Sequence, residues 1–332
     1  MTLRFGRGGG RILASTAVAC FVFKRPEHTE QLLHSLVANT ESASVPIFIY
    51  CDGPSGGADA EGVSETIDVV RSFGSKLNLQ LIASESNLGL ATSITRGVSE
   101  VLGEFDRVVV LEDDLILSPH FLSFMLQGLE TYRDDDDVIS VHGYNVPHSR
   151  SLDETFFLRG ADCWGWATWK RGWDLFEPDA GKLAENLRSE GLLREFNYGV
   201  GTSHSDLLLK AASGQIDSWA IRWHASAILN RKFTLYPSRS LVANAGMDGS
   251  GTHCSPTGLF DGAIASTEVS VARIPVVESL GGLKILQDHL RLVAHDSRKR
   301  KRNRSRPIQS LAGRLIRWAR VVLSPDKNNS VG

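Results

Sequence analysis

Three consecutive carboxylates, Glu112-Asp113-Asp114, close the apolar and mostly β-branched run Val108–Leu111. Such a run reads as a buried parallel strand, and in open α/β sheets the C-terminal edge of the strands is where ligands bind. Three like charges at that edge repel one another and resist burial unless a cation sits among them. Hard carboxylate oxygens suit Mg2+ or Mn2+, ions that keep waters and take further ligands from substrate phosphates. The chemistry expected of the triplet is a metal–diphosphate site. The plainer alternative is a solvated acidic turn after a core strand.

Three further strand ends carry polar groups. Phe23-Lys24-Arg25-Pro26 follows the first apolar run, with Lys24 and Arg25 placed to meet phosphate and Pro26 to start a helix. Tyr50-Cys51-Asp52-Gly53-Pro54 sets the Asp52 carboxylate beside a tight turn, where it could hydrogen-bond a ribose or a base. Ser86-Asn87-Leu88-Gly89-Leu90 is an Asx/Gly turn that opens a helix, with Arg96 about two turns into it. Each has an ordinary reading, since Asp-Gly-Pro is common turn chemistry and Asn87 can simply cap a helix. Convergence of four consecutive strand ends on one rim is what singles them out.

The elements that must position these groups are legible as alternation. Strands over Thr16–Phe23, Val45–Cys51 and Leu79–Ala83 alternate with helical patterns over Glu27–Val37, Val63–Phe73 and Leu90–Leu102. A helix over Pro119–Tyr132 and a strand over Val138–His142 follow the triplet. The expected fold is α/β, a mostly parallel, Rossmann-like sheet with helices on both faces. The second half is less regular and rich in aromatics: Trp164, Trp166, Trp169, Trp173, Trp219 and Trp223. Gly8-Gly9-Gly10 precedes the first strand and so is no dinucleotide fingerprint. Asp134–Asp137 ends a helix rather than a strand and reads as a solvated loop.

Composition narrows the class. At 332 residues and 42% hydrophobic, the chain can bury a large core, as one big domain or two smaller ones. A formal charge of −2 gives no general attraction to nucleic acid. The four cysteines, Cys20, Cys51, Cys163 and Cys254, form no CxxC pair, which argues against a zinc module and points to a reducing compartment. The run Thr16–Phe23 is cut short by Lys24-Arg25-Pro26, too short to span a bilayer and without a secretory cleavage pattern. It reads as the first strand of a cytoplasmic domain.

The C-terminal segment is basic. Arg298–Arg306 carries seven Lys/Arg in nine residues, and Leu311–Leu323 places its apolar side chains on one arc and Arg314, Arg317 and Arg320 on the other. This pattern predicts either peripheral contact with an anionic membrane or a helix packed on the domain with a solvated arginine face. No recognition module accompanies it, so nucleic acid is not an expected partner.

With these residues in place, the chain resembles the nucleotide-sugar glycosyltransferases of the GT-A fold. It is most similar to the metal-dependent N-acetylglucosaminyltransferase group, which carries a Glu-Asp-Asp form of the DxD motif, and to bacterial sugar-transferase relatives. The resemblance covers roughly Thr16–His253 and is specific around Phe23–Pro26, Asn87–Leu90 and Val109–Leu117. Gly165-Trp166-Ala167-Thr168-Trp169 and Asp248-Gly249-Ser250-Gly251-Thr252-His253 look like the bacterial relatives. The resemblance implies that Asp114 touches the metal, Glu112 acts through metal-bound water, Asp113 holds the ribose and Asp52 faces the nucleoside. Phe23, Arg25, Asn87 and Arg96 join the donor site, and Lys24 stands where most relatives carry Asn.

Inverting transfer needs one general base on the acceptor hydroxyl. Asp162, Asp206, Asp217 and Asp248 are the candidates. The resemblance favours Asp217, an acid before a Trp, although the relatives carry two adjacent acids there and Ser218 takes the second place in this chain. The alternative makes Asp217 the N-cap of a helix over Ala220–Leu229. His253 resembles a metal- or phosphate-contacting histidine in a loop that closes on the diphosphate, or else is incidental. Trp166, with Trp164 and Trp169, stacks on an acceptor sugar or belongs to the core.

The organisation expected is a flexible N-terminus over 1–14, a donor half over 15–145, an acceptor half over 146–290 and a basic tail over 291–332. The expected function is a cytoplasmic Mn2+- or Mg2+-dependent, inverting glycosyltransferase. It would take a UDP-sugar donor and a glycan or lipid-linked acceptor, working at the inner membrane face. A sugar-phosphate nucleotidyltransferase and a non-catalytic nucleotide-sugar-binding module are the alternatives. The first calls for a Gly-rich phosphate loop after the first strand, which Phe23–Pro26 lacks.

Overall fold

A computed structural model describes residues 15–201, 204–248 and 258–304. The chain begins with β1 (Thr16–Val22), α1 (Pro26–Val37), β2 (Ile47–Cys51), α2 (Ala60–Ser72), β3 (Leu79–Ala83), α3 (Leu90–Glu104) and β4 (Arg107–Glu112). It continues with β5 (Leu115–Leu117), α4 (Phe121–Thr131), β6 (Val138–His142), β7 (Thr155–Arg159) and β8 (Trp166–Trp169). Helices α5 (Lys170–Trp173), α6 (Ala180–Ser189), α7 (Leu193–Phe196), α8 (His204–Ala212) and α9 (Trp219–Leu229) come next. Then follow β9 (Phe233–Pro237), β10 (Val242–Asn244) and α10 (Leu280–Arg304).

The strands form one sheet in the order β3-β2-β1-β4-β8-β6-β9-β7, with β5 and β10 pairing apart from it. β3, β2, β1 and β4 are parallel, and β6 and β9 are parallel to each other, while β8 runs antiparallel to both β4 and β6. β7 is antiparallel to β9 at the far edge. The strand order reverses between β1 and β4, because the chain first adds β2 and β3 on one side of β1 and then returns to the other. A crevice opens at such a switch point, where neighbouring connections leave in opposite directions.

Alternation along β1 shows why it is central. Val18, Cys20 and Val22 point into a core with Leu32, Leu33 and Leu36 of α1 and Phe121 of α4. Ala17, Ala19 and Phe21 face Ile94 and Val98 of α3 and Trp166, Trp173, Trp219 and Trp223 of the second half. A strand apolar on both faces requires helices on both. Helix α3 approaches closely: a Cβ on Gly97 would lie 2.6 Å from Phe21. Pro26 starts α1, as expected of a residue whose missing N–H has no helical partner to lose.

The second half adds to the same sheet: strand β6, from before position 145, lies between β8 and β9, from after it. No helix among the described residues is long and apolar enough to cross a membrane. Helix α10 runs into the start of the basic run, and the amphipathic segment Leu311–Leu323 lies outside the described residues.

Candidate active site

The first arm of the crevice is the turn after β1. Lys24 has φ 24°, a left-handed conformation uncommon outside glycine. Its ammonium turns away to Asp59, 2.6 Å distant, so it does not join the acids. Arg25 does. Its Nε donates to Asp113 Oδ2 at 3.1 Å, and one terminal nitrogen, Nη2, donates to Asp113 Oδ1 and, at 3.3 Å, to Asp114 Oδ2. The Phe23 amide donates to Asp113 Oδ2 at 3.3 Å.

The second arm is the triplet. The Asp113 amide donates to the Phe21 carbonyl at 3.0 Å, extending the β1–β4 ladder by a step and drawing Asp113 inward. Asp113 is 4% exposed, whereas Glu112 and Asp114 are half-buried. Burial pushes the Asp113 carboxyl up even against the pull of Arg25. Burial, with the charges of Asp114 and Asp113, pushes the Glu112 carboxyl well above the usual carboxylate range. One guanidinium thus faces three acids, and the local charge is under-compensated.

A turn from the far end of the chain closes over Asp114. The Ala245 amide donates to the Asp114 carbonyl at 2.7 Å, and a Cβ on Gly246 would lie 2.5 Å from Asp114 Oδ2. Glycine leaves that carboxylate its position. Among the described residues no group of three or more His, Cys, Asp or Glu side chains forms a ready-made metal site. The donor set still fits a Mg2+ or Mn2+ ion of the kind held by one or two carboxylates and substrate phosphates. Asp114 and Glu112 are the acids for it, since Asp113 is taken by Arg25. His253 and its loop lie outside the described residues, as does Cys254.

Beside the acids, a cavity of ≈ 80 Å³ opens between the ends of β2 and β3 and the first turns of α3. Tyr50, Ile82, Leu88, Ser93, Arg96 and Glu100 are among its lining residues. Asp52 forms part of the wall, but its carboxylate is turned to the backbone. It accepts from the amides of Gly53 at 2.9 Å, Leu88 at 2.8 Å and Gly89 at 2.9 Å. In the structure Asp52 ties two loops together at the start of α3, where unpaired amides attract a carboxylate. Asn87 assists, donating to the Gly53 carbonyl at 2.9 Å instead of capping α3. Arg96 lines the cavity while paired with Glu100 at 2.6 Å.

In the second half, Trp166 is fully buried in a cluster with Trp173, Trp219 and Trp223, at ring distances of 5.9, 5.4 and 5.5 Å. Contact with an acceptor is therefore excluded for Trp166 in this conformation, because its pleat position points under α9 and α5 rather than to the rim. Trp164 is the half-buried member, packed edge-on against Tyr144 and Phe260. Asp217 is 62% exposed at its side chain and pairs with Arg222 at 2.6 Å; no hydrogen bond or ion pair joins it to the triplet. The N-cap of α9 is Ser218, not Asp217. Asp206 is exposed in the first turn of α8. Asp162 lies differently, in the loop between β7 and β8, and sequence reasoning gave it no preference.

No protein-family model and no curated protein matches the chain. Solved structures similar to it include S. aureus TarS 1-349 in complex with UDP-GlcNAc, at 16% identity over 43% of this chain and 38% of that one, TM-score 0.31. The mannosyltransferase PcManGT from Pyrobaculum calidifontis, in complex with GDP-Man and Mn2+, is 15% identical over 40% of this chain and 35% of that one, TM-score 0.31. Glucosyl-3-phosphoglycerate synthase from Mycobacterium tuberculosis, with Mn2+, UDP and glucosyl-3-phosphoglycerate, is 14% identical over 57% of this chain and 74% of that one, TM-score 0.34. The chain thus spans 38% and 35% of the length of the first two.

Proposed function

We propose that this chain is a glycosyltransferase that moves a sugar from a nucleoside diphosphate sugar to an acceptor hydroxyl, using a divalent cation. The observation that carries the reading is the juxtaposition at the switch point. An under-compensated carboxylate triplet at the end of β4 shares its rim with a cavity at the ends of β2 and β3. In this reading the base would lie against Tyr50, Ile82 and Leu88 at the mouth of that cavity, which would have to widen to take a whole nucleoside, and the diphosphate would extend toward Asp114.

Glu112 and Asp114 would hold Mn2+ or Mg2+, which when bound stabilises the negative charge gathering on the departing diphosphate. Arg25 pairs with Asp113 and ties the loop after β1 to the triplet beside that position. The Asp52 bridge fixes the start of α3 and hence the mouth of the cavity. Lys24 is turned to Asp59 and Phe23–Pro26 contains no glycine, which leaves a nucleotidyltransferase without its phosphate loop.

Thermal shift with UDP-GlcNAc, UDP-glucose and GDP-mannose, with and without Mn2+, tests the reading. One of them at about 100 times its Kd adds about 2.7 kcal/mol, or about 4 °C for a chain of this length. The shift requires metal and is lost in Asp114→Ala. Binding that ignores metal, or an Asp114→Ala protein that behaves as the parent, refutes the assignment.

A further inference from the structure

The pairing of β8 with β4 brings a second acid to the rim. Trp166, the first residue of β8, lies opposite Val110 in an antiparallel register, two residues before Glu112, so β8 is entered from the triplet's end of the sheet. The loop Gly160–Gly165 that feeds it therefore lies at the same end of the sheet as the triplet. Burial and the charges of Asp162, Glu112 and Asp114 together push the Cys163 thiol up, as expected where the loop and the triplet stand within electrostatic reach of one another.

Within that loop Asp162 is the half-exposed carboxylate, 42% exposed at its side chain. Its Oδ1 accepts from the Cys163 amide at 2.8 Å, which fixes the carboxylate plane. Its Oδ2 lies 3.6 Å from Nε2 of His142. His142 is entirely buried on β6, and neither ring nitrogen has a hydrogen-bond partner among the described residues. A buried imidazole with two unpaired nitrogens is costly, and the nearest acid to either is Asp162. Tyr236 and Tyr144 pack edge-on against the ring, at 5.0 and 6.4 Å.

Resting on the glycosyltransferase reading, we infer that Asp162 is the general base that accepts the proton of the attacking hydroxyl, with His142 as the positioning residue behind it. The Asp162 carboxylate takes the proton as the hydroxyl oxygen bonds to the anomeric carbon. The bond from that carbon to the phosphate oxygen breaks, the nucleoside diphosphate leaves with the electron pair, and Asp162 passes the proton to solvent. Asp217, paired with Arg222 and facing solvent, is displaced from this role.

Water serves as the acceptor in the test, so the readout is release of nucleoside diphosphate from whichever of UDP-GlcNAc, UDP-glucose and GDP-mannose binds. Asp162→Asn keeps an Oδ1 acceptor for the Cys163 amide and should hold the loop. The expected result is donor affinity within about threefold of the parent and a kcat lowered about 100-fold or more, the range of a general base. His142→Phe lowers kcat about 10-fold at unchanged donor affinity, and His142→Gln, which retains an N–H, recovers most of it. Asp162→Asn turnover equal to the parent overturns the inference, as does loss of donor affinity in that variant. A fall in kcat confined to Asp217→Asn moves the proton to the start of α9 and overturns it too. A parent protein that binds none of the donors refutes the underlying reading instead, and that outcome is distinct because it precedes any variant.

Discussion

Replacing Arg25 by Met asks what the buried charge pair at the switch point is for. In the parent, Arg25 gives Asp113 two hydrogen bonds and Asp114 one, and the Asp113 side chain is 5% exposed. The two partners respond oppositely: the charges of Asp113 and Asp114 hold Arg25 protonated against its burial, while burial of Asp113 outweighs the attraction and raises its pKa. Removing Arg25 leaves only the long Phe23 amide contact, and stranding one partner of a buried pair costs about 3 kcal/mol or more. With an unfolding entropy of about 2.1 cal/mol/K per residue, that is a Tm lower by about 4 °C.

The sign of the pH dependence follows from the direction of the shift. A carboxyl whose folded pKa lies above its unfolded value destabilises the fold when ionised and ceases to do so as it protonates. The loss in Arg25→Met is therefore largest near neutral pH and shrinks as pH falls through the raised range of the carboxyl. Arg25→Met/Asp113→Asn removes both charges and returns most of the stability, giving a coupling of about 2–3 kcal/mol in a double-mutant cycle. Thermal and urea denaturation at two pH values measure all three variants. A loss below about 0.5 kcal/mol, or one independent of pH, refutes the reasoning.

Gly246→Ala places a methyl 2.5 Å from Asp114 Oδ2 and must displace that carboxylate. Metal-dependent donor binding falls about 10-fold or more while Tm stays within about 2 °C, and calorimetric titration of the donor with Mn2+ checks it. Gly160→Ala combines a φ of 90° with a Cβ 2.4 Å from His224. It should lower stability by about 3 kcal/mol, read by urea denaturation, because neither the backbone nor the buried ring can yield cheaply.

The sheet was legible where strands are apolar on both faces. Residues Val108–Leu111 are fully buried, as their composition implies, and β3 begins and ends where the sequence places it. The rim was legible as a place, because strand ends are local signals. The partners of the rim residues were not. Asp52 reads as a free carboxylate in Asp-Gly-Pro, yet three amides claim it, two of them from the next strand's exit. Arg25 reads as a phosphate ligand, yet an acid 88 positions away holds it. Trp166 alternates with Ala167 in a run rich enough in aromatics to suit either a platform or a core. Only its packing against Trp219 and Trp223, from a helix some fifty positions on, decides. Asp162 gained its place from the β4–β8 register, a non-local pairing that no spacing along the chain announces.

Strand reversal at β8 has an evolutionary corollary. A strand that runs against its neighbours begins where they finish, so the segment feeding it, rather than the one leaving it, overhangs the working rim. Insertions between β7 and β8 can alter what is admitted beside the acids while leaving the connections after β1, β2 and β3 intact. On the glycosyltransferase proposal, diversification of acceptor choice should therefore concentrate in that short entry segment.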